Sequence, residues 1–122
     1  MFLVILLFTD CSKKEPICAC GVINVHENLP WLKNSLLNIW STDIYMVNYL
    51  DTEYIILSDK DIIRDGISVA YNCQGQKVCE EGGENIGSHP CNISDPNSFW
   101  ETYYSKKVLL LKIRAQKVIE TY

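Results

Sequence analysis

The sequence predicts an α+β domain: one N-terminal helix packed on a small antiparallel sheet of about four to five strands, stapled by disulfides. Three stretches lead to it. Leu29, Leu32, Leu36 and Ile39 recur at three- and four-residue steps, with Trp40 adjoining, which is the period of an amphipathic helix. Residues 43–50 and 53–57 are dense in Tyr, Ile and Val, and Ile44, Met46 and Asn48 alternate with Tyr45, Val47 and Tyr49 as strand residues do. Residues 68–73 and 77–80 flank Gln74-Gly75 and read as a hairpin, in which a disulfide between Cys73 and Cys79 would staple adjacent strands.

The helix opens at Asn28, a residue that caps well, with Pro30 in the first turn where a missing N–H costs little, and it ends near Trp40-Ser41. The first two strands join at Asp51-Thr52; the helix covers one face of the pair and the other face stays partly exposed. Residues 58–66, with Asp59, Lys60, Asp61, Arg64 and Asp65, form a charged connection. Gly82-Gly83 breaks the strand that carries Cys79, and the irregular stretch 82–97, which contains Pro90 and Pro96, is pinned by Cys91. Asp95-Pro96-Asn97 starts a short helix through Tyr104. Leu109, Leu111 and Ile113 sharing one face favours a strand over 108–113. Tyr104, Val108, Leu111, Ala115, Val118 and Tyr122 also fit a helical seam, so 107–119 stays open between strand and helix.

A chain of 122 residues, 48% hydrophobic and 21% charged, is one globular domain with a single modest core. It divides into an export signal over 1–10, a tether and cysteine-containing lead-in over 11–26, and the folded domain over 27–122. The seven apolar residues after Met1 fall far short of the about 20 that span a bilayer, but they match the core of a secretion signal. Cys11 follows at once, with the polar run Ser12-Lys13-Lys14-Glu15-Pro16 behind it. This arrangement resembles the lipobox of bacterial lipoproteins, which implies lipidation of Cys11; Asp10 departs from the small, uncharged residue usual before that cysteine. Export also accounts for six cysteines in a short chain, because oxidising compartments let disulfides supplement a limited core. The disulfide candidates are Cys18, Cys20, Cys73, Cys79 and Cys91, with bridges preferred among Cys73, Cys79, Cys91 and one of Cys18 or Cys20.

A net charge of −4 argues against nucleic acid as a partner, since phosphate binding needs a concentrated basic surface. The cysteines with His26 or His89 include enough soft ligands for zinc, but their spacing does not match the usual knuckles, and disulfides are favoured over a metal. No phosphate-cradling glycine motif occurs, and neither of the two histidines sits in a pattern that would activate a cysteine nucleophile. The residues therefore assign no catalytic group, cofactor or metal. Seven tyrosines and three tryptophans instead suggest an exposed aromatic surface of Tyr45, Tyr49, Tyr54, Trp100, Tyr103 and Tyr104. Lys106, Lys107, Lys112, Arg114 and Lys117 form a basic C-terminal stretch suited to anionic headgroups or to guarding a sheet edge.

The apolar leader ending in Cys11, the Cys18/Cys20 region and Asn28-Leu29-Pro30-Trp31-Leu32-Lys33 opening a helix together resemble a family of small, uncharacterised lipoproteins of the Bacteroidetes. Two tyrosine-rich strands and the run from Tyr71-Asn72-Cys73-Gln74-Gly75 through Val78-Cys79 to Gly82-Gly83 complete the likeness, which extends to Cys91. The resemblance implies a lipid-anchored location in the cell envelope, on the periplasmic side or the outer-membrane surface, and implies no chemistry. The expected function is a non-enzymatic binding or structural module, with the membrane as one partner through its lipid and an envelope protein or glycan as another. The alternative is a small exported enzyme or inhibitor acting through 82–97 with Glu80, Glu81, Glu84 and His89.

Overall fold

The structure, a computed structural model, describes residues 18–82 and 91–121. Strands β1 (Cys18–Ala19) and β2 (Val22–Ile23) form a small hairpin, followed by the short helices α1 (Val25–Asn28) and α2 (Pro30–Ser35) and a 3-10 turn over Leu36–Asn38. Then come β3 (Thr42–Tyr49), β4 (Thr52–Ser58), β5 (Ile67–Tyr71), β6 (Lys77–Gly82), α3 (Pro96–Lys106), β7 (Val108–Arg114) and β8 (Lys117–Thr121). The last six strands make one sheet in the order β6-β5-β4-β3-β7-β8, antiparallel at every pairing. The chain meanders from β3 to β6, and α3 then leads back to β7 beside β3. The domain is mostly β, with more strands than expected because 18–23 adds the β1–β2 hairpin within the expected lead-in and 117–121 adds β8 to the sheet.

The long N-terminal helix is not formed. Leu29 is extended (φ −108°, ψ 105°), because a residue before proline is pushed out of the α region, so α1 stops there and α2 restarts at Pro30. Asn28 caps nothing; its side-chain amide donates to the Ile23 carbonyl. After six residues α2 tightens into the 3-10 turn, and Ile39 is extended again. Val25, Leu29 and Leu32 are buried with Ile44, Ile55, Leu57, Leu111 and Ile113. Broken turns, not a continuous helix, therefore cover that sheet face, and Trp40 is left 66% exposed.

The opposite face is closed by α3. Its N-cap Asp95 accepts from the Ser98 N–H at 3.1 Å, and Pro96 sits in the first turn. Phe99, Trp100 and Tyr103 bury against Tyr45, Val47, Tyr49, Ile56 and Ala70. The β3–β4 strands are thus covered on both sides. Alternation along β3 holds, but a β-bulge disrupts the same reading in β7: Ile44 pairs with Leu111 while Tyr45 pairs with Leu109. Leu110 is the extra residue, so Leu109 lies toward α3 while Leu110, Leu111 and Ile113 lie with the other cluster.

Turns set the register. Leu50 and Asp51 both have positive φ (51° and 66°) between Tyr49 and its partner Thr52, the two-residue type I′ arrangement, one position earlier than the expected junction. Ala115 and Gln116 repeat it between β7 and β8 (φ 54° and 63°). The β5–β6 connection is wider than a two-residue turn. The Asn72 carboxamide oxygen accepts from the Gln74 and Gln76 N–H groups at 3.0 and 2.9 Å, closing the loop from inside. Gly75 supplies φ +88° there, and a Cβ on it would sit 2.6 Å from Trp31 Cγ, so only glycine lets the indole pack on this loop.

Candidate functional site

The six aromatic residues proposed as an exposed surface do not form one. Tyr45, Tyr49, Trp100 and Tyr103 are buried, Tyr54 is half-buried and Tyr104 alone is exposed, at 47%. Helix α3 lies over the sheet and gathers them into edge-to-face contacts: Phe99 meets Tyr49, Tyr54 and Trp100 with ring centres 5.3, 5.2 and 4.9 Å apart. Periodicity marked Tyr45 and Tyr49 as one strand face, but nothing in it showed that a later helix carries the cover.

Beside that helix runs an open groove of about 780 Å³ between α3 and β6. Its floor is the Cys79–Cys91 pair, its β6 wall Glu80 and Glu81, and its α3 wall Trp100, Glu101 and Tyr104. Period-2 geometry would send Glu80 and Glu81 to opposite faces; both reach the groove because β6 is an edge strand whose ladder on that side is taken over only at Cys91. Asn92 N–H donates to the Val78 carbonyl at 2.6 Å and holds the returning chain there. Glu80 is countered by Lys77 at 3.1 Å.

Glu81 belongs to a tighter cluster. Lys60 Nζ donates to its carboxylate at 2.6 Å and to the Tyr104 hydroxyl at 2.7 Å, while that hydroxyl itself donates to Glu81. Three elements meet here: the 59–66 connection, β6 and α3. Burial alone would lower the Lys60 pKa, but its hydrogen bonds to Glu81 and Tyr104 outweigh this and raise it. Burial, with the hydrogen bond to Glu81, raises the Tyr104 pKa. Both groups are held in the ordinary charge state, phenol neutral and ammonium charged. A hydroxyl held neutral is poorly suited to act as a nucleophile or base at neutral pH.

Lys107 lies over the Tyr45, Tyr103 and Tyr104 rings, 4.6, 5.2 and 5.6 Å from their centres, so one expected basic-tail residue is a cation on an aromatic shelf. Arg114 Nη1 lies 2.9 Å from Asp43 Oδ1, the carboxylate being 2% exposed. That contact is ionic without being an aligned hydrogen bond, because the same Nη1 donates to the Ile113 and Thr42 carbonyls at 2.9 and 3.4 Å.

Alkaline pH tests the aromatic layer. Burial, reinforced by Asp43 and Asp61, pushes Tyr45 from 10.0 up to about 12, and burial raises Tyr103 as well. A pKa raised on folding means the unfolded chain loses its proton first, so the stabilisation is whole below pH 10 and drains between pH 10 and about 12. Urea midpoints should therefore fall across that window, and Tyr45→Phe should flatten the fall; an unchanged slope in the variant would remove Tyr45 as the cause.

The cysteines pair differently from the hairpin staple. Cys73 bonds Cys20 and Cys79 bonds Cys91, because the widened loop carries Cys73 away from β6 and toward the β1–β2 turn. Cys18 is disulfide-bonded too. Glu53 joins the first pair: its carboxylate accepts from the Cys20 N–H at 2.6 Å, and its carbonyl lies 3.7 Å from Cys73 Sγ. His26 stands beside Glu27 (3.7 Å), apart from any cysteine grouping among the described residues. Cys11, Glu84 and His89 lie outside the described residues.

No family model, curated protein or solved structure matches the chain.

Proposed function

We propose that this chain is an exported, lipid-anchored binding module of the bacterial envelope, non-enzymatic, that takes an envelope protein or glycan in the groove between α3 and β6. The groove carries the reading. The exposed Tyr104 ring offers a stacking face beside the Glu81 and Glu101 carboxylates, a combination that suits hydroxyl-rich or amine-bearing ligands. The disulfide framework supports a compartment where thiols oxidise, and the apolar leader before Cys11 supports the route there. Glu81 and Tyr104, the groups best placed for chemistry, are already committed to Lys60, which favours binding over the enzyme alternative.

Asn97→Trp, at the groove rim, is the test variant. Wild-type protein should bind members of a glycan and peptide array, and the variant should lose those ligands while keeping its fold by circular dichroism; equal binding by both would sink the groove as the site. Lipidation makes a separate demand. A thioether sulfur cannot enter a disulfide, and with Cys20, Cys73, Cys79 and Cys91 paired among themselves, lipidation of Cys11 and an intrachain bond at Cys18 exclude each other. Intact mass of envelope-extracted protein, with and without reductant, should show the lipid, and an unprocessed, lipid-free chain would overturn the anchor.

A further inference from the structure

We propose that Cys20, Cys73 and Glu53 form a redox-gated site for a thiophilic divalent cation such as zinc, latent while the Cys20–Cys73 bond is closed and exposed by its reduction. A structural staple needs only the two sulfurs. Here a carboxylate oxygen lies with them, and the three ligand atoms fall within 4.8 Å of one another. Tetrahedral zinc with Zn–S of about 2.3 Å and Zn–O of about 2.0 Å places sulfurs roughly 3.8 Å apart and sulfur to oxygen roughly 3.5 Å apart. With the bond cut, small side-chain rotations on Cα atoms 5.5 Å apart reach that spacing.

The backbone holds these residues without help from the sulfurs. Cys20 occupies a two-residue turn with Gly21 (φ 53° and 79°) between the paired Ala19 and Val22, and Ala19 is fully buried. Glu53 is fixed in β4 opposite Asn48, and its carboxylate already holds the Cys20 N–H. On the other side, Trp31 Nε1 donates to the Cys73 carbonyl at 2.9 Å, and the Asn72 carboxamide closes the same loop. All three ligands are partly exposed beside a cleft of about 440 Å³ lined by Asp51, Thr52 and Gln74. A reductant can therefore reach the bond, and water can fill a fourth position, an arrangement of three protein ligands and an open site.

The chemistry balances with a dithiol as reductant. Its two thiols give two electrons and two protons to the Cys20–Cys73 bond and close into a cyclic disulfide, leaving two cysteine thiols. The cation then displaces both thiol protons to solvent and binds two thiolates and the Glu53 carboxylate, so binding strengthens as pH rises through the thiol range.

Cobalt is the probe. The full chain is reduced with a dithiol, freed of it under argon and titrated with Co2+, then with Zn2+. The reduced wild type should show thiolate-to-cobalt charge-transfer absorption saturating at one equivalent and displaced by zinc, and the oxidised chain should show none. Cys73→Ser, which keeps every other thiol, should abolish it. Glu53→Gln should weaken it at least about tenfold, the low end of what loss of even an outer-shell partner costs. No band in the reduced wild type, an undiminished band in Cys73→Ser, or unchanged affinity in Glu53→Gln would each overturn the proposal. Should the reduced chain unfold, recovery of its circular dichroism on adding zinc supports the site, and failure to recover rejects it.

Discussion

Phe99→Ala is expected to destabilise the domain by about 3–5 kcal/mol, the cost of truncating a buried phenylalanine that its surroundings cannot refill. Phe99 is fully buried and sits at the centre of the α3 contact. Its ring meets Tyr49 of β3, Tyr54 of β4 and its helix neighbour Trp100, all edge-to-face. Such pairs contribute beyond their area by about 0.5–1.5 kcal/mol each, and alanine removes three together. Against a total stability of about 5–15 kcal/mol for a domain, that loss would unfold a sizeable fraction of a marginal chain. Urea unfolding measures it, with Ile119→Ala as the control: Ile119 is 55% exposed on β8, so its truncation should stay within about 0.5 kcal/mol. A Phe99→Ala loss below about 1 kcal/mol would mean that α3 does not pack where the structure places it.

The elements legible in the sequence were those whose signal is local. Strands β3 and β4, the charged connection expected over 58–66 apart from Ser58, which ends β4, the helix start at Asp95-Pro96-Asn97, and the strand after α3 all follow from residues within a few positions of one another. The misses have nonlocal or competing causes. Leu29 to Ile39 has helical spacing, yet the conformational demand of Pro30 on Leu29 outweighs it and splits the segment. Leu109, Leu111 and Ile113 have strand spacing, but one bulged residue puts Leu109 on the opposite face. The tyrosines read as a surface because the sequence shows how many aromatics there are and not what covers them. Spacing could not pair Cys20 with Cys73 across 53 residues, nor bring Glu53 to them. The Lys60–Glu81–Tyr104 cluster likewise draws on three separate elements; the sequence marked Tyr104 as an aromatic surface residue, Glu81 as one of a run of acids and Lys60 as part of a charged connection, with nothing to join them.

Removing the Cys20–Cys73 bond by paired alanine substitution should cost more than removing Cys79–Cys91 in the same way. In the chain-entropy account a crosslink restricts the unfolded ensemble in proportion to the logarithm of the loop it closes. Separations of 53 and 12 residues then give about 4 and about 3 kcal/mol respectively. The local surroundings work against that ranking. Cys79 is fully buried and Cys91 half-buried, so alanine there also loses packing within the cluster under α3, where Cys79 lies opposite Ala70, whereas Cys20 and Cys73 are both half-buried at the rim. The comparison therefore separates two mechanisms. If loop closure dominates, the longer loop gives the larger fall in urea midpoint. If lost packing dominates, Cys79→Ala/Cys91→Ala falls further, and the entropic account fails for this domain. A second signature distinguishes them: freeing the unfolded chain lets it expand, so the denaturant slope should rise more for the 53-residue loop than for the short one. The backbone bonds that fix Cys20 and Cys73 in place predict that this larger loss leaves the native hairpin turn and Asn72 loop intact in whatever fraction stays folded. Amide exchange at backbone position 20 and at Gln76 measures that directly, and wild-type protection in the folded fraction is the expected result.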